Sequence, residues 1–291
     1  KKINENPCIG LQALLQSYQI KEEYEVSDIV FGIGPKINAA GRIADAKSSV
    51  KLLIEEDFHQ ARLLAKTLID NNTERKDIDS DITKEAMEML ENSAELRSRK
   101  STVLYSEKWH KGVIGIVASR LIETYYRPTV VLTESEGVLS GSVRSVSGFD
   151  VYQALEACSE FMIQFGGHKY AAGLTLKPEQ LTGFKQCFEA YAEAHLLPEQ
   201  LQPTYSYDLE LQFDALTPKL YRIINQMAPF GPKNMRPVFV THLCKDAGGT
   251  RAVGKENNHL KLEIIDAAGI PFQGIAFGMA QYLIQIKNQQ S

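Results

Sequence analysis

The sequence predicts an α/β protein in which a long helix leads into an α/β domain and a small β-barrel follows. Three observations support this fold class. Residues 57–92 repeat apolar side chains at helical spacing, residues 101–197 alternate strand-like and helix-like segments, and the part after residue 203 alternates apolar and polar residues between Gly-rich turns. The length of 291 residues suits about two domains.

Composition excludes several classes of protein. The chain is 44% hydrophobic with a net charge of −4, and it contains no apolar run of membrane-spanning length and no signal segment, so we expect a cytoplasmic protein without membrane contact. No global basic signature points to nucleic acid, which would have to bind a local cluster. The four cysteines lack C-x-x-C spacing, so we expect structural thiols rather than disulfides or a zinc site. Because the chain starts at Lys1 rather than Met, we expect an excised fragment or a processed chain.

The long helix is predicted from Asp57, a suitable N-cap, to Asn92. A continuous helix of this length extends roughly 50 Å. Its middle, NNTERKDIDSD, is so polar that the helix is expected to bridge two globular parts.

The next segments follow in α/β order. STVLYS is a predicted strand, GVIGIVASRLIETYY a helix, PTVVLTE and GVLSGSVRS strands, DVYQALEACSEF a helix, AAGLTL a strand and PEQLTGFKQCFEAYAEAHL a helix. Beyond Pro203, YSYDLELQF, PVFVTHL, HLKLEII and IPFQGIAF are predicted strands and TPKLYRIINQMAPF a helix. A small β-barrel fits this last part best.

The stretch FGGHKYAAG, which begins at Phe165, combines paired glycines with a histidine. Glycines at positive φ can turn their N–H groups toward an anion, and His168 can add a donor or a positive charge. A tight turn with a solvated histidine explains the same residues, and on spacing alone it is favoured.

The stretch SGSVRSVSG is a predicted strand that places Ser140, Ser142 and Arg144 on one face. Two hydroxyls and a guanidinium suit bidentate phosphate recognition. An amphipathic strand with a polar outer face is an equally good interpretation.

Two further glycine-rich stretches carry weaker signals. In WHKGVIGIVASR, Gly112 and Gly115 precede a helix whose N–H groups can face a phosphate, although close packing of that helix on the sheet is favoured. GVIG also matches the short GXXG loop of KH domains. Trp109 and His110 can stack or donate, but a lone Trp is more often core.

The stretch FGIGPKINAAGR lacks the spacing of a dinucleotide-binding loop. Its Asn38 and Arg42 either contact a ligand or stabilise the following helix, and spacing alone favours the second role. The sequence contains no P-loop, no H-E-x-x-H, no G-x-S-x-G and no Asp/His cluster typical of a metal hydrolase. These patterns predict a chain that holds a substrate without cutting it.

In this order and spacing, GPKINAAGR, the long helix, WHKGVIGIVASRL, SGSVRS, FGGHKYAAG and PFGPKNMRPVF resemble the RecJ family of single-stranded-DNA exonucleases, which are DHH phosphoesterases. The resemblance covers nearly the whole chain. It implies a remnant of the DHH domain over residues 1–56, a connecting helix over 57–97, a DHH-associated α/β domain over 98–198 and an OB-like domain over 199–291. Because only three or four strands precede Ser291, where an OB barrel needs five, the barrel is expected to be partial.

The resemblance also implies a division of labour. Manganese or magnesium would bind Asp and His residues in the metal-binding part of the DHH domain, which this chain is expected to lack. No metal ligand is therefore assigned, no metal is expected on this fragment, and the fragment is predicted to be inactive alone. Phosphate binding is assigned by resemblance to Arg42, Ser142, Arg144 and the turn formed by Gly166, Gly167 and His168. The catalytic role is given to His168, which would reach toward the reacting group.

Weaker candidates for nucleic-acid contact are Asn38, His110, Tyr205, Tyr207, Phe230, Lys233 and Arg236. The implied function is the substrate-gripping part of a 5′-to-3′ single-stranded-DNA exonuclease acting in DNA repair and recombination. Its expected partner is single-stranded DNA, with a helicase or a single-strand-binding protein as a further candidate. A DHH-family oligonucleotide or cyclic-dinucleotide phosphodiesterase and a non-catalytic nucleic-acid-binding module are the alternatives.

Overall fold

The computed structural model describes residues 2–17 and 21–288. The chain divides into two compact units, Lys1–Pro203 and Thr204–Ser291. Among the described residues, no helix has both the length and the apolar composition needed to cross a membrane. The four-segment division predicted from the sequence stays a prediction.

The first unit begins with short helices that pack on the N-terminal half of a long one. They are α1 (Lys2–Glu5), α2 (Ile9–Gln16), α3 (Gly34–Ile43) and α4 (Lys47–Ile54), with a π-helical turn at Asp28–Ile33. Leu14, Ile33 and Leu52 form a buried cluster with Ala61 and Leu68 of the long helix. This cluster fixes α3, which carries Arg42 in its last turn.

The long helix, α5 (Phe58–Glu91), is continuous over 34 residues, as predicted, and the short α6 (Ala94–Ser98) follows it. Asp57 caps α5 by accepting a hydrogen bond from the N–H of Gln60 at 2.7 Å. Its polar middle is not a free span, however, because Asp79 is fully buried and accepts a hydrogen bond from Arg120 at 2.7 Å. The helix joins the N-terminal helices to the α/β part, as expected, and both parts belong to one compact unit.

A five-stranded sheet follows in the order β1-β2-β3-β5-β4. Its strands are β1 (Thr102–Tyr105), β2 (Thr129–Ser135), β3 (Val138–Arg144), β4 (Gln164–His168) and β5 (Ala171–Leu176). The pair β1–β2 is parallel, and α7 (Ile114–Thr124) connects these two strands; the other pairs are antiparallel. The strands predicted in this region are confirmed, but β4 was missed.

Alternating side chains of the sheet build a core on each face. Val130, Leu132 and Val143 face α8 (Val151–Ala157) and α9 (Leu181–His195), while Leu104 and Val131 face α7 and the C-terminal half of α5. Trp109 is buried in the second cluster, where its indole N–H donates to Glu85 at 3.0 Å, so its predicted core role is confirmed.

The cysteine expectation was wrong for one pair. Cys158 and Cys187 form a disulfide with Cα atoms 5.9 Å apart, across 29 residues of sequence. Cys158 ends α8 and Cys187 lies in α9, and these helices pack side by side on the sheet. Tertiary packing brings the two thiols together, which sequence spacing does not reveal. Cys8 and Cys244 are free thiols.

The second unit is an open β structure with one helix in its first half. Its strands are β6 (Leu209–Glu210), β7 (Phe239–Val240), β8 (Lys245–Asp246), β9 (Arg251–Val253), β10 (His259–Ile265) and β11 (Pro271–Ala276), and its helices are α10 (Pro218–Gln226) and α11 (Leu283–Asn288). One sheet joins β11, β10 and β8, with β9 also on β10; the other pairs β6 with β7. The sheets are not closed into a barrel, which agrees with a partial OB fold.

Strand lengths in this unit differ from the expectation. The nine-residue stretch YSYDLELQF contains only the two residues of β6, and PVFVTHL only the two of β7. Only two large apolar side chains described in this unit, Phe213 and Leu260, are buried. Alternation therefore overestimates strand length where few apolar side chains have a core to enter.

A buried arginine provides a test of the first unit. The Arg127 guanidinium donates to the Thr102 hydroxyl at 2.7 Å and to the carbonyls of Leu96 at 2.9 Å, Arg97 at 3.1 Å and Arg99. It ties the segment after α5 to the start of the sheet.

We expect Arg127→Met to lower the free energy of unfolding by about 3 kcal/mol, because it leaves several acceptors without a donor. The measurement is urea denaturation followed by circular dichroism. The exposed Arg97 serves as the matched control, and Arg97→Met should change stability by less than about 0.5 kcal/mol. Equal effects of the two substitutions would contradict the assigned role of Arg127.

Candidate functional site

A trough crosses the sheet surface at strands β3, β5 and β4. It is lined by Gly41, Arg42, Lys111, Gly112, Ile114, Gly115, Ser140, Gly141, Ser142, Arg144, Gln164, Phe165, Gly166, Gly173, Leu174 and Thr175. Strand pairing aligns its side chains in three rows. The arginine row is Arg144–Ala171–His168, the glycine row is Ser142–Gly173–Gly166, and the hydroxyl row is Ser140–Thr175–Gln164.

The glycine row forms a floor of bare backbone. A Cβ added at Gly166 would meet no atom within 4 Å, and one added at Gly173 would approach only the Gly141 carbonyl, at 3.8 Å. The packing of the protein therefore does not require glycine at either position. What the two glycines provide is open space above the backbone, where a ligand can lie close to the sheet.

The predicted glycine turn is wrong in its local structure. Gly166, Gly167 and His168 belong to strand β4, and the turn is made by Lys169 and Tyr170. Gly167 has φ +149° and packs so closely on β5 that a Cβ would lie 2.4 Å from the Ala171 carbonyl. Because these glycines carry no side chains, the alternation of apolar residues that indicates a strand is missing. This explains why a turn was predicted in place of β4.

Helix α7 covers one side of the arginine end. A Cβ at Gly115 would lie 2.9 Å from the Ser142 hydroxyl and 3.0 Å from the Arg144 guanidinium. Gly115 thus admits these two side chains beneath the first turn of α7, and its predicted packing role is confirmed. Arg144 donates to the Ser142 hydroxyl at 3.0 Å and to the Val143 carbonyl at 2.8 Å, which fixes the guanidinium.

Arg42 reaches the trough from α3. A Cβ at Gly112 would lie only 1.9 Å from the Arg42 carbonyl, so the two backbones touch because residue 112 is glycine. The Arg42 guanidinium also donates a hydrogen bond to the Gly112 carbonyl at 3.2 Å. This contact brings together residues that are 70 positions apart in the sequence.

The electrostatics of the trough favour an anion. Burial lowers the pKa of Arg144, and the positive charge of Arg42 lowers it further. Within the described ranges, no carboxylate forms an ion pair with either arginine. Two guanidiniums with no carboxylate partner in the described part of the chain, beside a hydroxyl and an open backbone floor, are suited to bind a phosphate.

The predicted site residues are only partly brought together. Arg42, Ser142, Arg144 and Gly166 line the trough, while Gly167 packs on β5. His168 is exposed at the end of the arginine row, outside the lining, and its Nδ1 accepts the Tyr170 N–H at 3.2 Å.

The weaker candidates lie elsewhere. Asn38 is exposed one turn before Arg42 on α3, and His110 accepts the Gly112 N–H at 3.1 Å. In the second unit, the Arg236 guanidinium stands 4.8 Å above the Phe230 ring, and the Tyr207 hydroxyl donates to Glu210 at 2.9 Å. Tyr205 is 87% exposed, and Lys233 is exposed with φ +70°.

Sequence reasoning missed the three polar lining residues Lys111, Gln164 and Thr175. Lys111 directly precedes Gly112 in a stretch already singled out. The positions of Gln164 and Thr175 depend on the register of β4 and β5, which no local pattern determines.

Metal binding was tested on the side chains present. Over residues 2–17 and 21–288, no group of three or more His, Cys, Asp and Glu residues is arranged to hold a metal ion. These residues therefore do not fit a manganese or magnesium centre, and no step through a metal is assigned to them.

Two domain families match the chain. Residues 99–194 match the DHHA1 domain and residues 207–291 match the RecJ OB domain. The first match contains all of β3, β4 and β5, and therefore the three rows of the trough.

Two bacterial relatives with the same name align with most of this chain. The single-stranded-DNA-specific exonuclease RecJ of Bacillus subtilis is 35% identical over 261 residues, which are 88% of this chain and 33% of that protein. The protein of the same name from Escherichia coli is 33% identical over 281 residues, 93% of this chain and 48% of that protein. The chain thus spans between a third and a half of these relatives.

A crystal structure of RecJ from Thermus thermophilus in complex with Mg²⁺ has the same fold. The two structures superpose with a TM-score of 0.79 at 27% sequence identity. The match covers 95% of this chain and 41% of the Thermus thermophilus chain. A Mn²⁺ complex of the same protein gives 0.78. The predicted fold class and the resemblance to the RecJ family are confirmed.

Anion binding at the trough can be tested without DNA. We expect inorganic phosphate to raise the melting temperature of the chain, because a ligand that binds only the folded state stabilises it. Arg144→Met should abolish most of this shift, and Arg97→Met, which removes an exposed arginine elsewhere, should leave it intact. A shift that survives Arg144→Met in differential scanning fluorimetry would place the anion outside the trough.

Proposed function

We propose that this chain, whose two domains belong to the DHHA1 and RecJ OB families, grips the 5′-terminal phosphate of single-stranded DNA as the substrate-binding part of a RecJ-type 5′-to-3′ exonuclease. The observation that carries this proposal is that Arg42 and Arg144 line one trough beside the glycine row, without a counterion among the described residues. Similarity to proteins named single-stranded-DNA-specific exonucleases supports it.

The phosphate would lie on the floor formed by Gly166 and Gly173. Arg144, already oriented by Ser142, would donate a planar pair of N–H groups to two phosphate oxygens, and Arg42 would neutralise the second charge of a terminal phosphate. An internal phosphodiester carries one negative charge less. Two uncompensated cations therefore favour a strand end over an internal position.

His168 has a separate proposed role at the reacting group. It stands on the same sheet face as Arg144 and two strands away from it, because both residues pair with Ala171 of β5. An imidazole at this end of the trough can donate a hydrogen bond or a proton to a phosphate oxygen. Manganese or magnesium, when bound to a complete enzyme, would supply the activated water; no residue described in this chain is assigned to hold it.

The second unit is proposed to hold the continuing strand. Tyr205, Tyr207 and Phe230 offer aromatic faces for stacking, and Lys233 and Arg236 offer positive charge. Action in DNA repair and recombination, and contacts with a helicase or a single-strand-binding protein, are part of the same proposal. The RecJ OB match disfavours the small-nucleotide phosphodiesterases of the DHH group as an alternative.

For the chain as given, we propose binding without hydrolysis. Incubation with 5′-labelled single strands and Mn²⁺ should leave the oligonucleotide intact, because no metal group is found among the described residues. Metal-dependent shortening that follows the purified chain through chromatography would refute this. The result separates a binding module from an enzyme.

The 5′-phosphate preference is the central prediction. We expect a 5′-phosphorylated single strand to bind about tenfold more tightly than the same strand with a 5′-hydroxyl, since a charge-assisted hydrogen bond contributes about 1.5–3 kcal/mol. Arg144→Ala should remove the difference, while Arg97→Ala should keep it. Fluorescence anisotropy with both strands and a duplex control measures the difference in affinity. Equal affinity of the wild-type chain for the two strands would rule out binding of the strand end.

The glycine floor gives an independent test. Gly166→Ala should leave the melting temperature within about 1 °C, because its Cβ meets no protein atom, yet weaken binding of the phosphorylated strand at least several-fold. Affinity should also fall with salt, with a log–log slope of about −0.7 for each phosphate contacted. Unchanged affinity of Gly166→Ala would show that nothing rests on the floor.

A further inference from the structure

The hydroxyl row contains a largely buried serine, Ser140, whose hydroxyl has no hydrogen-bond partner among the described residues. Ser140 is only 6% exposed, and its hydroxyl makes no hydrogen bond to the described part of the chain. All fully enclosed side-chain N and O atoms described in this structure do have a partner. The Ser140 hydroxyl must therefore open into the trough that its residue lines.

Two further polar side chains extend this row. Thr175 pairs with Ser140, and Gln164 pairs with Thr175, so the three side chains stand beside one another on the trough face. The Gln164 amide donates to the Thr175 hydroxyl at 3.4 Å, a long hydrogen bond that leaves both groups able to bind a ligand. All three residues border the trough.

The position of this row relative to the arginine row is set by the strands. Ser140 and Arg144 are four residues apart on β3, a distance of roughly 13 Å, with the glycine row between them. If Arg144 holds the phosphate of a nucleotide, the rest of that nucleotide would lie along the open floor and extend toward the hydroxyl row.

The chemistry of the row identifies what it can take. It contains hydroxyls and a carboxamide, which both donate and accept, and it contains no charge. Such groups suit the neutral hydroxyl, carbonyl and amine groups of a sugar and base, whereas a second phosphate would favour a cation. Besides the two arginines, the lining contains one more cation, Lys111. It belongs to the loop that contacts Arg42 and not to the hydroxyl row.

We infer that Ser140, Thr175 and Gln164 form a nucleoside subsite that binds the sugar and base of the terminal nucleotide by neutral hydrogen bonds. The inference rests on the proposed function, since it takes the phosphate to be held at Arg144. In addition to the terminal phosphate, the trough would then bind the sugar and base of one nucleotide at the strand end.

The experiment compares two probes, thymidine 5′-monophosphate and inorganic phosphate, by isothermal titration calorimetry on the 291-residue chain. The wild type should bind the nucleotide more tightly than phosphate. Ser140→Ala combined with Thr175→Val, which removes two hydroxyls with little change of shape, should lower nucleotide affinity about tenfold and leave phosphate affinity unchanged. Gln164→Ala should act in the same direction.

Controls separate the two proposals. Ser135→Ala, on the same sheet but outside the trough, should bind both probes like the wild type, and melting temperatures verify folding. If the double variant keeps wild-type nucleotide affinity while Arg144→Met loses both probes, the nucleoside subsite is wrong and the phosphate grip stands. If Arg144→Met binds both probes like the wild type, or if the wild type binds neither, the phosphate grip itself is wrong and the subsite falls with it.

Discussion

The trough depends on one close approach, the contact between Gly112 and the backbone of Arg42. An alanine at residue 112 would place a Cβ 1.9 Å from the Arg42 carbonyl, and backbone atoms on both sides cannot yield as a flexible side chain can. The contact joins the end of α3 to the loop before α7. Without it, Arg42 and Arg144 would belong to separate parts of the first unit, and the positive charges would not share one site.

The long helix makes this joint rigid. The N-terminal half of α5 shares a core with α3, and its C-terminal half shares another with α7, so both partners of the Gly112 contact are held by the same helix. Asp79, buried at the middle of α5, accepts a hydrogen bond from Arg120 of α7. The buried Asp79 carboxylate has two cationic partners, Arg120 of α7 and Arg75 of its own helix at 3.6 Å, so moving α7 away would remove the shorter of its two ion pairs. The geometry of the candidate anion site is therefore set by a helix that contributes no lining residue of its own.

Much of this arrangement follows from sequence patterns, and the failures have physical causes. Helix α5 has a cap and a sustained apolar repeat, and β1, β2, β3 and β5 have apolar alternation, so these elements were predicted. Strand β4 was missed because Gly166 and Gly167 carry no side chains to alternate. The Cys158–Cys187 disulfide and the hydroxyl row arise from packing and register between distant segments, which local patterns do not encode. Ser142 and Arg144 were found because a single strand brings them to one face.

Five glycines in or beside the trough separate into two physical types. Gly112, Gly115 and Gly167 are pressed against protein atoms, so the fold itself explains them. Gly166 and Gly173 face open space, so the fold does not explain them. A glycine with room for a side chain costs conformational entropy without improving packing. Its presence at two paired positions, between Arg144 and the hydroxyl row, supports the proposed binding site, because a molecule lying directly on the sheet would need the backbone bare.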